Sequence, residues 1–271
     1  MGLRINTNIP AINTSRVLQR STQELNRSLQ RLSSGLRINQ AADDAAGLAI
    51  AEGFRAMVRG SQVAQRNSQD GISLVQTAEG ALSESTNILQ RMRELAVQAA
   101  NGTQSTNNRL ALDGEVQQLL EQIDDIAQDT EFNGLRVLSS IQTVTLQAGA
   151  MTSQTLTIVV AGAKTSELGI STVRVSTMAA AVSAISTIDN ALKSVTTLRS
   201  TFGAYQNRLE FTINTLAIQE ENSSASESAI RDADIAKETI AFTRNQILVS
   251  AGTSVLAQAN VVPQTALQLL R

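Results

Sequence analysis

Cysteine, histidine and tryptophan are all absent from this chain. Without cysteine there is no disulfide, no thiol nucleophile and no thiolate metal site. Without histidine the commonest general base and the commonest metal ligand are lost together. A cysteine-free chain occurs in any compartment, so the compartment stays open at this point. Proline is confined to Pro10 and Pro263, which leaves the interior free to run in long helices. Net charge is −2 with no basic run, which argues against nucleic acid as a partner. No stretch of about 18 apolar residues exists to span a membrane. Residues Met1 to Pro10 lack the basic and then apolar regions of a cleavable secretory signal. Met1-Gly2 lacks the Ser or Thr that myristoylation wants, since Asn6 stands there.

Of the 271 residues, 42% are hydrophobic but only 2% aromatic. Ala, Leu, Ile and Val suit thin helical bundles better than a thick globular core. Their spacing says the same. Ile188, Val195, Phe202, Leu209 and Leu216 recur at sevens, with Ala191, Leu198, Tyr205 and Thr212 in the second slot. Such positions form one seam on a helix, which over this stretch runs roughly 44 Å. Gly203 is its one weak point.

From the beginning, Ile5, Ile9, Ile12, Leu18, Leu25, Leu29 and Leu32 predict a helix from about residue 5 to 33, stopped at Gly35. Residues 35 to 42 read as a connector, with Asp43 and Asp44 at the next helix start. In that helix the register becomes strict at Val75, Leu82, Leu89 and Ala96, alternating with Ala78, Ser85, Met92 and Ala99, and stops at Asn101-Gly102. Leu112, Val116, Leu119, Ile123 and Ile126 predict a shorter helix, and Asn133-Gly134 a tight turn.

Between about 140 and 175 the period changes to two. Val144, Leu146 and Ala148, then Leu156, Ile158 and Val160, predict a small hairpin around residues 149–153; residues 161 to 175 fit either helix or strand. Helix resumes near Thr177 and continues through the polar stretch at 220–224. A final helix carries Ile235, Phe242, Val249 and Leu256, with Leu248, Val255 and Val262, until Pro263 interrupts it. The expected fold is mainly α: a long coiled-coil-like rod from the two terminal segments, with a hairpin in the middle. A lone pair of terminal helices buries each apolar stripe on one side only, so packing against copies of the same chain is expected, with disorder before assembly.

Several stretches resemble bacterial flagellin. At the N-terminal end these are Ile5-Asn6-Thr7-Asn8-Ile9 with Ala11, Leu29 through Asn39, Asp43 through Ile50, and Gln90 through Gln98. At the other end they are Gly203 through Leu209, Ala251 through Asn260, and Leu269-Leu270-Arg271. The resemblance covers about the first 140 and last 95 residues, and the short middle is similar to the minimal type without large outer domains.

That resemblance implies residues 1–42 and 235–271 as inner-tube helices, 43–139 and 176–234 as a helical rod, and 140–175 as a hairpin and connector. It implies a secreted, extracellular filament subunit, exported unfolded and polymerised with itself into a hollow helical tube. The implied partners are the flagellar export apparatus, an export chaperone, the filament cap and the hook-junction proteins. It places subunit packing on Leu25, Leu29, Leu32, Phe242, Val249, Leu256, Leu269 and Leu270. It places recognition by Toll-like receptor 5 of animals on Arg91, Leu95 and Glu115, whose primary role is expected in subunit contacts. Leu269 and Leu270 also resemble the part sensed by intracellular immune receptors. The peptide recognised by plants corresponds to Gln30 through Ala51, but Ala42 replaces the usual Lys and Leu36 a small polar residue. The alternatives are a hook–filament junction protein and a secreted coiled-coil adhesin. The Arg91 block and the Leu269-Leu270-Arg271 ending favour the filament subunit.

No catalytic site, cofactor or metal is expected. Adjacent acids such as Asp43-Asp44, Asp124-Asp125 and Glu220-Glu221 diverge by about 100° on a helix, so solvated or capping roles are expected of them. Asp232 and Asp234 are placed to position the last helix. The zinc protease motif of some flagellins needs two histidines, and this chain has none. Asn13-Thr14-Ser15 and similar triplets match a glycosylation sequon at a frequency expected by chance, and Ser/Thr-rich residues 139–177 offer O-linked acceptors.

Overall fold

In the computed structural model the backbone is described for residues 7–268 and the side chains for residues 7–261. Among the described residues five helices and two small antiparallel strand pairs follow one another: α1 (Ile9–Ser34), α2 (Ala45–Ala100), α3 (Thr106–Asp129), β1 (Glu131–Phe132), β2 (Leu135–Arg136), β3 (Gln142–Gln147), β4 (Thr155–Val160), α4 (Met178–Arg231) and α5 (Ile235–Gln268). Two compact units form, one gathering the described residues up to Ala56 and from Asn222 onward, the other Met57–Glu221.

The helix ends follow local chemistry. The Asn8 side chain accepts the amide of Ala11 at 3.2 Å, and Gly35, at φ 72°, donates its amide to Arg31 O at 2.8 Å. Asp44 Oδ1 accepts the amide of Gly47 at 2.8 Å where α2 begins. The Thr177 hydroxyl accepts from Ala180 at 3.2 Å where α4 begins, and Asp234 Oδ1 accepts from Ala236 and Lys237 at 3.1 Å where α5 begins. The polar stretch at 220–224 leaves α4 unbroken. Pro263 does not end α5, which runs on to Gln268.

The second unit has the core. Val75, Ala78, Leu82, Ser85, Leu89, Met92, Ala96 and Ala99 of α2 are all buried, as are Ile188, Ala191, Val195, Phe202, Leu209 and Leu216 of α4. These seams run antiparallel, as Arg93–Asp189 at 2.7 Å and Arg199–Glu79 at 3.6 Å require. The α2 seam also extends backwards through Ser61, Ala64, Ser68 and Gly71, all buried. There is little room there: a Cβ on Gly71 would lie 3.3 Å from Leu209 Cδ1, and one on Gly60 2.9 Å from the Ala150 Cβ.

The face that α3 buries is Val116, Leu120, Ile123 and Ala127, with Leu112, Leu119 and Ile126 half-buried at its edge. It is therefore turned slightly from the expected face. The hairpin pairs Val144 with Ile158 and Leu146 with Leu156, and β4 buries Leu156, Ile158 and Val160 in strict alternation. The Asn133-Gly134 turn joins a second pair, β1 and β2. Both turn residues have positive φ, 51° and 78°, the signature of a two-residue hairpin loop.

Residues 161 to 175 are neither helix nor strand, yet Ala163, Leu168, Ile170, Val173 and Val175 are buried. One polar stripe of α3 holds them. Asp124 accepts from the Thr165 amide at 2.8 Å and the Thr165 hydroxyl at 2.7 Å. Gln117 donates to Val173 O at 3.1 Å, and Asp113 accepts from the Val175 amide at 2.7 Å.

Candidate functional site

The first unit is built from α1, α5, the connectors at 35–44 and 232–234, and the adjoining turns of α2 and α4. Antiparallel pairing of α1 with α5 is fixed at three points. The Asn8 amide donates to Ala259 O at 2.9 Å, a Cβ on Gly252 would lie 3.3 Å from Leu18 Cδ1, and Arg31 meets Glu238 at 3.6 Å. The connectors are laced together: Ala233 N–H donates to Gly35 O at 2.9 Å, Arg37 N–H to Arg231 O at 2.6 Å, and Leu36 pairs with Asp232. Arg231 also meets Glu52 at 3.0 Å.

What this unit lacks is a core. Among its described residues the fully buried apolar side chains are Ile38 and Ala51, and the α1 side chains buried against the pair are Ser21 and Ser28. Leu25, Leu32, Phe242, Val249 and Leu256 lie half-buried on the seam. Leu29 points away from it and is 54% exposed. So do Ile12 and Val17 of α1, and Ile240, Ile247, Leu248 and Val255 of α5. Leu269 and Leu270 lie outside the described residues. Helix α5 carries apolar residues on every side. A helix of that kind is stable in water only when it is surrounded. The small residues on the seam let two helices approach closely, and the large ones that remain face outward, so the unit presents a surface for further helices.

On the second unit, Arg91 donates to Glu115 Oε1 at 2.9 Å and to Glu94 at 3.2 Å, and all three side chains are exposed. The hydrogen bond that Arg91 donates to Glu115 holds its guanidinium above the ordinary pKa. Leu95, by contrast, is only 1% exposed and belongs to the core. The structure thus brings Arg91 and Glu115 together at the surface and places Leu95 beneath them.

The acids mostly serve the backbone. Asp43 accepts from the backbone amides of Asn39 and Gln40 at 3.2 and 3.1 Å, whereas Glu220 accepts from the side-chain amides of Gln62 and Gln65 at 2.7 and 3.0 Å. Asp124 is neither solvated nor capping, because it anchors the Thr165 loop. Among the described residues no three acids converge as metal ligands, and no helix is long and apolar enough to cross a membrane. In the sequence Asp113 carries no assignment, and Asp124 is assigned a solvated or capping role, not that of a loop anchor. Their only signal is polar residues at helical spacing on the edge of an apolar face.

Comparison with known proteins converges on one family. The bacterial flagellin N-terminal helical region matches residues 5–143 and the C-terminal helical region residues 185–270. A flagellin of Halalkalibacterium halodurans is 48% identical over 270 residues, covering 98% of this chain and 99% of the relative. The flagellin of Bacillus subtilis is 43% identical over 304 residues, covering 99% and 100%. Among solved structures, that of a putative flagellar hook-associated protein from Vibrio parahaemolyticus superposes with a TM-score of 0.58, covering 70% of this chain and 100% of that one. At 11% identity that likeness is one of fold alone. A pair of terminal helices with more apolar surface than it can cover is what a self-assembling subunit needs, and with both terminal regions matched the chain belongs to the bacterial flagellin family, as a structural subunit of the flagellar filament.

Proposed function

We propose that the chain leaves the cell unfolded through the flagellar export apparatus, escorted by an export chaperone, and polymerises outside into a hollow helical tube that serves motility. Residues 1–42 and 235–271 form the inner tube, 43–139 and 176–234 the surrounding rod, and 140–175 its hairpin and connector. Leu25, Leu32, Phe242, Val249 and Leu256 close the seam within a subunit. Leu29, facing outward, packs between subunits, as do Leu269 and Leu270. The filament cap and the hook-junction proteins bound the polymer at its ends. The subunit catalyses no reaction.

One observation carries this reading: the described residues of the first unit bury almost no apolar side chain, while Leu29, Ile240, Ile247 and Val255 stand exposed. Purified protein added to short filament seeds should elongate them without limit under electron microscopy. A hook-junction protein would add a ring and stop, and a secreted adhesin would leave swimming intact when its gene is deleted.

Toll-like receptor 5 reads the same surface that serves subunit contacts in the filament. Arg91 and Glu115 offer the exposed polar pair, and Leu95 supports it from below. Binding of monomer to the receptor ectodomain, lost in Arg91→Ala and kept in Leu95→Met, tests that division of roles.

A further inference from the structure

The hairpin turn of the second unit, residues 148–154, is flanked on its α2 side by an open groove of about 460 Å³ whose lining includes Arg59, Val63 and Met151. Val63 is 45% and Met151 51% exposed, so the groove is apolar and wet. Arg59 and Arg66 stand four before and three after Val63, on one exposed helical face. Neither forms an ion pair within the described chain.

Elsewhere on the same unit, Gly80, Ala81 and Ile126 floor a second groove of about 340 Å³, walled by Glu84, Asp125 and Asp129. No hydrogen bond or ion pair within the described chain occupies these three carboxylates. A Cβ on Gly80 would meet nothing within 4 Å, so the floor has room for a side chain from outside. Because no three acids converge as metal ligands among the described residues, a metal ion does not suit this groove. An extended guanidinium flanked by apolar side chains does.

We propose that these two surfaces are halves of one contact between copies of this chain: Arg59, at the edge of the first groove of one copy, enters the Glu84–Asp125–Asp129 groove of a second. Arg59 takes the carboxylates, and Val63 with Met151 covers the Gly80–Ala81–Ile126 floor. The halves differ from each other and are complementary in charge. The contact is therefore heterologous and each copy keeps one half free, which is the condition for an open polymer instead of a closed dimer. Opposite charges across it fix the register, and like charges there oppose it. This inference rests on the polymer reading above and specifies which faces of the second unit meet.

The test is a charge swap measured by seeded elongation of the full chain. Arg59→Glu and Asp125→Arg, each on an exposed side chain, should each raise the critical concentration about tenfold or more. The double variant, with its charges exchanged, should return to within about threefold of the unsubstituted protein. Lys193→Glu makes the same charge change as Arg59→Glu at an exposed site outside both grooves and should leave elongation unchanged. Equal far-ultraviolet circular dichroism of all monomers shows that folding is intact. The proposal is overturned if the single variants elongate normally, if the double variant is no better than the worse single, or if Lys193→Glu is as damaging as Arg59→Glu. Failure of the unsubstituted protein to elongate would overturn the polymer reading itself, and is told apart by that control.

Discussion

The side-chain amide of Asn8 donates to the carbonyl of Ala259 at 2.9 Å, joining positions 251 residues apart. The same side chain caps α1 through the amide of Ala11 at 3.2 Å. One residue thus starts the first helix and ties it to the last. Asn8→Ala removes both contacts and should cost about 1–2 kcal/mol, mostly the cap. Amide exchange at Ala11 and neighbouring positions of assembled protein should rise accordingly, while the second unit is unaffected.

Gly60 and Gly203 both sit inside long helices, but only Gly60 has a neighbour in the way. A Cβ there would press on Ala150, 2.9 Å from its Cβ and 3.2 Å from its Cα, whereas Gly203 faces open space. Gly203→Ala should stabilise the second unit by up to about 1 kcal/mol through helix propensity. Gly60→Ala should destabilise it by about 1 kcal/mol, since overpacking outweighs that gain. Urea denaturation of the two variants gives the opposite signs directly.

Asp124 holds the irregular 161–175 segment through the Thr165 amide and hydroxyl. Asp124→Ala leaves two donors without this acceptor and should cost about 2 kcal/mol. The loss should be local at first, seen as faster exchange at Thr165, Leu168 and Ile170 before any change in α2 or α4.

The first unit should loosen in acid. Hydrogen bonding from the Gln40 amide holds the Asp43 carboxyl below 3.8; burial opposes it, and the Asn39 amide with the charges of Arg31 and Arg27 adds to the lowering. The Lys237 amide and side chain hold Asp234 low in the same way. A carboxyl with a lowered folded pKa binds its proton less readily when folded than when unfolded. Its contribution is complete above the unfolded value and is lost as pH falls through the lower folded value. Protection at Gln40, Ala236 and Lys237, taken as exchange relative to a free amide at the same pH, should therefore be steady at neutral pH and fall once pH drops below 3.8.

The heptads were legible because large apolar residues marked them. From Val75 to Ala99 every expected α2 position is buried, and so are Ile188, Val195, Phe202, Leu209 and Leu216 of α4, whereas Leu198, Tyr205 and Thr212 of its second slot are half-buried. The same α2 seam from Ser61 to Gly71 went unread because its residues are serine, alanine and glycine, which carry no hydrophobic signal. They are small because the helix partner and the hairpin come close there. Residues 161–175 were ambiguous for another reason: their backbone is satisfied by side chains of α3, not by a repeating ladder. Leu29 and Leu25 look alike in sequence, yet one faces outward and the other lines the seam. Pro263 looked like a helix end, but α5 runs through it to Gln268. Leu95 sits deeper than its recognition role implied, next to Ala96 on the buried side of α2.

On the polymer reading, the terminal helix pair is completed only by neighbouring copies. Hydrogen exchange of α1 and α5, compared between free monomer and assembled filament, tests it most directly. Exchange should be rapid along both helices in the monomer and strongly retarded in the filament, with α2, α3 and α4 of the second unit protected in both. Equal protection of α1 and α5 in the two states would contradict it.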